Sequence, residues 1–130
     1  MQKILNLTQH VATHEQLEAG VFEPSEEDKK EIQKLLTFEE IPDTKELGTR
    51  AYCIGRIAIQ YFDDFDDGAS SGNAMIGGAP YFMNFLEDAL KYEGIKPMYA
   101  FSKRESVDQV QPDGSVKKVA VFKHCGFVEV

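Results

Sequence analysis

Residues 74–102 read AMIGGAPYFMNFLEDALKYEGIKPMYAFS, and this stretch decides the fold. "AMI" is a short buried strand, "GGAP" a turn, "YFMNFLEDALKYEG" a helix that Gly94 ends, and "KPMYAFS" a second strand. Strand, helix and strand in that succession make a crossover unit, which sets parallel strands side by side in one sheet. The expectation is an α/β chain.

The flanking sequence extends that reading in both directions. Upstream, "KILNL" (3–7) is a buried strand, and Thr13 with Gln16 forms a capping box that opens a short helix, "HEQLEAG" (14–20), ended by Gly20. Ser25 caps a helix over "PSEEDKKEIQKLLTF", whose first turn is acidic, as the helix dipole favours. Asp43 caps another, in which Leu47, Ala51, Ile54, Ile57, Ala58 and Tyr61 recur at helical steps. Gly48 and Gly55 lower its propensity by about 1 kcal/mol each, which close packing against the sheet would explain. "DDFDDGASSGN" (63–73) is a loop, and "ESVDQVQPDGSVKKVAVFKHCGFVEV" (105–130) is a hairpin turning at "PDG". The predicted order is βααα-β-α-βββ, in one domain over residues 1–130 with no internal repeat.

Composition narrows the functions. Apolar residues make up 42%, with nine Phe and five Tyr, so the chain buries a core; no apolar run reaches the ~18 residues a membrane span needs. No secretory signal is visible, and Cys53 and Cys125 are too few and too separated for a disulfide scaffold, so a reducing cytoplasm is expected. A net charge of −8 argues against binding long nucleic acid. The charge is uneven: residues 1–95 hold 8 basic and 18 acidic side chains, residues 96–130 hold 6 and 4. An anion site would therefore draw on Lys103, Arg104, Lys117, Lys118 and Lys123.

In open α/β sheets ligands bind beyond the carboxyl ends of the parallel strands. Three segments are expected to meet there: "TQHVAT" after the first strand, "GGAP" after the second and "SKRES" after the third. Gly77, Gly78 and Ala79 would let phosphate approach the backbone at a helix N-terminus, although their spacing fits neither a dinucleotide fingerprint nor a Walker A loop. Ser102, Lys103, Arg104 and Ser106 supply hydroxyls and cations suited to phosphate; the plainer reading is a solvated turn. His10 can titrate near neutral pH and serve as general acid or base or as a phosphate donor, its alternative being a structural hydrogen bonder. His14 is a weaker candidate within the short helix, and His124 a sheet residue. "DDFDDG" misses the spacing of a calcium loop and reads as a solvated acidic segment; no metal site, cofactor or thiol nucleophile is expected.

The stretch "NLTQHVATHEQ" resembles the N-terminal pattern of small CRISPR-associated ring nucleases, in which an Asn, a Ser or Thr, a His, then Thr and Gln follow the first strand. The matching positions are Asn6, Thr8, His10, Thr13 and Gln16, with an extra residue between Thr8 and His10 and Val11 where Pro is common. The resemblance implies a CARF-like Rossmannoid fold with helices on both sheet faces, and a homodimer whose strand-end faces bind a cyclic oligoadenylate, cyclic tetra-adenylate being the expected ring. It implies metal-independent attack of a ribose 2'-hydroxyl on the adjacent phosphate, ending type III CRISPR signalling. His10, Lys103 and Arg104 are then the catalytic candidates. Asn6, Thr8, Gln9, Thr13, Gly77, Gly78, Ala79, Ser102 and Ser106 are the ligand contacts. Two rivals need less: a sponge that sequesters a cyclic nucleotide uncut, and an acidic anti-defence protein that meets a basic partner.

Overall fold

The computed structural model describes residues 2–62 and 72–130. Strands β1 (Ile4–Asn6), β2 (Val21–Phe22), β3 (Asn73–Met75), β4 (Lys96–Val110) and β5 (Val116–Glu129) form one sheet in the order β2-β1-β3-β4-β5. The first four are parallel, and β5 returns antiparallel along β4. The expected α/β class, parallel core and C-terminal hairpin are all present. The "DDFDDG" segment lies outside the described residues.

The helices begin where their caps predict. Thr13 and Gln16 exchange the two bonds of a capping box ahead of α1 (His14–Glu18), and Ser25 accepts from the Asp28 amide to open α2 (Glu26–Leu36). Asp43 accepts from the Glu46 amide at 2.8 Å to open α3 (Thr44–Ile59), which runs into a 3-10 turn at Gln60–Phe62. Pro80 starts α4 (Pro80–Tyr92), where its missing N–H costs nothing, and Gly94, at φ +81°, stops it.

The residues of β1 and β3 are all buried and alternate between two clusters. Leu5, Leu7, Ala74 and Ile76 face the main core, which they share with Ile32 and Leu36 of α2, Leu47, Ala51, Ile54 and Ala58 of α3, and Phe82, Leu86 and Leu90 of α4. Ile4, Val21, Met75 and Met98 form a second cluster with Ala12, against which Phe127 packs. That cluster takes nothing from α2, α3 or α4, and α1 buries no residue. The three long helices thus share one face, and the second cluster is completed by Ala12, just before α1, and by Phe127 of β5.

Three further differences have local causes. β2 has only two residues, too few to show alternation, so "VF" does not stand out as a strand. No turn interrupts the chain at "SKRES": β4 runs through it for 15 residues because β5 pairs with it throughout. Gly55 does mark a close approach, but to α4 rather than the sheet, since a Cβ there would lie 3.3 Å from the Ala89 carbonyl; nothing lies within 4 Å of one at Gly48. Among the described residues no helix is long and apolar enough to cross a membrane.

Leu86 is fully buried where α4 meets the sheet. Leu86→Ala is expected to lower unfolding free energy by about 2–5 kcal/mol, read as a lower urea midpoint at unchanged slope.

Candidate functional site

The strand order reverses between β1 and β3: the chain leaves β1 toward β2 on one side and returns to β3 on the other. A crevice opens beyond the carboxyl ends of strands at such a switch point. Here it is a cleft of about 370 Å³ lined by Thr8, Gln9, His10, Val11, Thr13 and Gln16 from the loop after β1 and the start of α1. Met75, Ile76, Gly77 and Gly78 line it after β3, with Tyr99 and Ala100 of β4. Two of the three expected segments thus meet.

The first wall is built on Asn6, which is 2% exposed. Its Nδ2 donates to the His10 carbonyl at 2.8 Å and lies 3.0 and 3.1 Å from the two Glu23 carboxylate oxygens. Its Oδ1 accepts from the Thr8 amide (2.9 Å) and the Thr8 hydroxyl (2.7 Å). Glu23 Oε2 also accepts from the Ala12 amide at 2.7 Å, and Lys29 Nζ approaches Oε1 at 3.5 Å. A buried amide with both ends satisfied fixes its neighbours, since leaving either end unpaired costs about 1–3 kcal/mol. Asn6 consequently shapes the loop from beneath. Glu23 went unmarked in the sequence because it follows a strand too short to recognise.

The remaining candidates divide by element. Gln9 donates to the Thr37 hydroxyl at 3.1 Å, tying the loop to the end of α2. His10 is exposed, and among the described residues nothing bonds to its imidazole. Thr13 is engaged in the capping box. Gly78 has φ +147°, a conformation that favours glycine, and Ala79 is the N-cap of α4 with no side-chain bond; Pro80 brings no N–H, and the Phe82 amide donates to the Ala79 carbonyl at 3.0 Å. His14 instead faces Glu18 at 2.8 Å.

Ser102, Lys103, Arg104 and Ser106 do not line this cleft. They lie along β4, opposite His124, Lys123, Phe122 and Ala120 respectively. Among the described residues the lining holds no Lys or Arg, and His10 and Tyr99 are its titratable members. Tyr99 was not a candidate in the sequence. Its hydroxyl donates to Glu87 Oε2 at 2.6 Å, and burial first, then this carboxylate, push its pKa well above the usual tyrosine range. The phenol is therefore held protonated as a neutral wall of the cleft.

A larger groove of about 640 Å³ lies between α2, the 37–43 connection and α3. Its Lys30, Lys34 and Arg50 are matched by Glu39, Glu40 and Glu46. Arg50 moreover donates to the carbonyls of Lys34, Leu35 and Thr37 and stacks 4.4 Å from the Phe38 ring, so it finishes α2. The strand-end cleft is the better candidate.

The chain belongs to the Uncharacterized protein MJ1673 family, whose model matches residues 2–128. No curated protein and no solved structure matches it.

Asn6→Ala is expected to cost about 1–3 kcal/mol and to speed hydrogen exchange at the Thr8 and Ala12 amides, read by denaturation and by NMR. Tyr99 supplies a second check. Its raised folded pKa favours the neutral form, so its stabilising contribution is complete below the unfolded value of about 10 and is lost as pH rises through the folded one. The alkaline absorbance difference between wild type and Tyr99→Phe should accordingly appear above the usual tyrosine range.

Proposed function

We propose that the cleft at the β1/β3 switch point binds a cyclic oligoadenylate, and that the protein is a metal-independent ring nuclease of CARF-like Rossmannoid type that ends type III CRISPR signalling. The observation that carries the reading is the meeting of His10 and Thr8 on one wall with Gly77 and Gly78 on the other, beside the N-terminus of α4. Backbone amides and a strand-end crevice suit a phosphate, and an exposed imidazole suits proton transfer at it. The "NLTQHVATHEQ" resemblance supports the same ligand class. Family membership and fold by themselves do not name a reaction.

In this reading a ribose 2'-oxygen attacks the adjacent phosphorus while the bond from phosphorus to the 5'-oxygen breaks. The 2'-hydroxyl gives up its proton to water, and His10, as its imidazolium, donates one to the departing 5'-oxygen and is reprotonated from water. The products are a linear oligoadenylate with a 2',3'-cyclic phosphate and a 5'-hydroxyl. Positioning in line, by Thr8, Gln9, Thr13 and the backbone at Gly77 and Gly78, supplies much of the acceleration. The lack of a cation in the lining favours one second reading, a sponge that binds the ring uncut.

The test is incubation with cyclic tri-, tetra- and hexa-adenylate in EDTA, followed by chromatography and mass spectrometry. The expected result is linear product from cyclic tetra-adenylate, reduced by a factor of about 10²–10⁴ in His10→Ala. Intact ring recovered from a tight complex would establish the sponge, and neither binding nor cleavage would overturn both.

A further inference from the structure

The hairpin of β4 and β5 leaves the sheet. β3 pairs with β4 only as far as Met98, so beyond Phe101 the two strands form a ribbon with both outer edges open. An isolated two-stranded ribbon is marginal in water. This one also exposes Phe122 (73%), Val110 (72%) and Val116 (61%). These three share one face of the ribbon with Arg104, since Phe122 stands opposite Arg104 and Val116 opposite Val110, whereas Lys103 and Lys123 pair on the other face.

The charge pattern identifies what covers the ribbon. Residues 101–126 carry five basic and three acidic side chains, whereas the other 104 residues carry nine and nineteen. A basic, apolar arm attached to a strongly acidic body is complementary to the body of a second copy. The strand-end cleft, for its part, has polar side chains such as Thr8, Gln9, Thr13 and Gln16 beside Gly77 and Gly78, and no Lys or Arg. Arg104 stands four residues beyond Ala100, roughly 13 Å along an extended strand, which carries it past the lining of its own copy's cleft.

We infer that the β4–β5 ribbon is an exchange arm: in a two-fold dimer it lies across the second copy, and Arg104, which shares the apolar face, completes that copy's cleft. The contact is isologous, each copy giving an arm and receiving one. Exposed Phe122, Val110 and Val116 become buried against the partner body. The assignment of Arg104 to the cleft rests on the phosphate-ligand reading of that site; the arm contact does not.

Two experiments separate those parts. Sedimentation of the full chain should give a two-copy species, and Phe122→Glu combined with Val110→Glu should give single copies with an unchanged circular dichroism spectrum. Should that variant misfold, carbodiimide coupling of mixed light and heavy-isotope wild-type copies serves instead, and arm lysines should link to carboxylates of the other copy. A wild-type monomer, or a dimer without such links, overturns the arm. For the composite site, His10→Ala chains are co-expressed with Arg104→Ala chains. Random pairing leaves one intact site in each mixed dimer, so about a quarter of wild-type cyclic tetra-adenylate cleavage or binding should return. No recovery overturns the contribution in trans. Absence of any cleavage or binding by a wild-type dimer that shows the arm links overturns the ligand reading and leaves the arm contact standing.

Discussion

One buried amide holds the site together. Asn6 ends β1 inside the protein and uses both ends of its side chain, accepting from Thr8 and donating toward His10 and Glu23. Through Glu23 the same network reaches the Ala12 amide, so the whole turn from Thr8 to Ala12 is pinned between β1 and the residue after β2. A loop so anchored can leave the His10 imidazole exposed without being loose itself. The constraint extends to the second wall, because Leu7 donates to the Met75 carbonyl at 2.9 Å and sets the exit of β1 against the exit of β3.

Most of the helical architecture was legible because caps and periodicity are local signals. Ser25, Asp43, the Thr13–Gln16 box and Gly94 all lie at the ends that their chemistry predicts. The strands were less legible. β2 is two residues long, and nothing in "VFEP" distinguishes it from a loop until Leu5 is seen opposite Phe22. β4 misled for the opposite reason: "SKRES" is polar enough to resemble a turn, yet a polar strand is stable where a neighbour takes up its backbone bonds. The two walls of the cleft are thus legible from "TQHVAT" and "GGAP", whereas the course of "SKRES" along β4 depends on pairing with residues 20 or so positions later.

The site also shows what type of residue single-sequence reasoning passes over. Glu23 and Tyr99 act through partners distant in the chain, Glu23 through Asn6 and Ala12, Tyr99 through Glu87. Neither belongs to a motif, and each becomes intelligible only once the sheet brings its partner within bonding distance. Arg50 is similar: its charge invites a ligand reading, yet its guanidinium is spent on three carbonyls at the end of α2.

The register of β1 against β3 sets an order of assembly. Leu5 pairs with Ala74 across roughly seventy residues of chain, so the central pairing of the sheet carries the largest loop-closure cost among its strand pairs. On the ribosome, β1 emerges long before its neighbour and waits with Leu5 and Leu7 uncovered. The β4–β5 ribbon, by contrast, pairs residues close in the chain, Val110 with Val116 at its tip. Its open edges and bare valines are therefore the part of a partly folded chain best suited to pair with another copy.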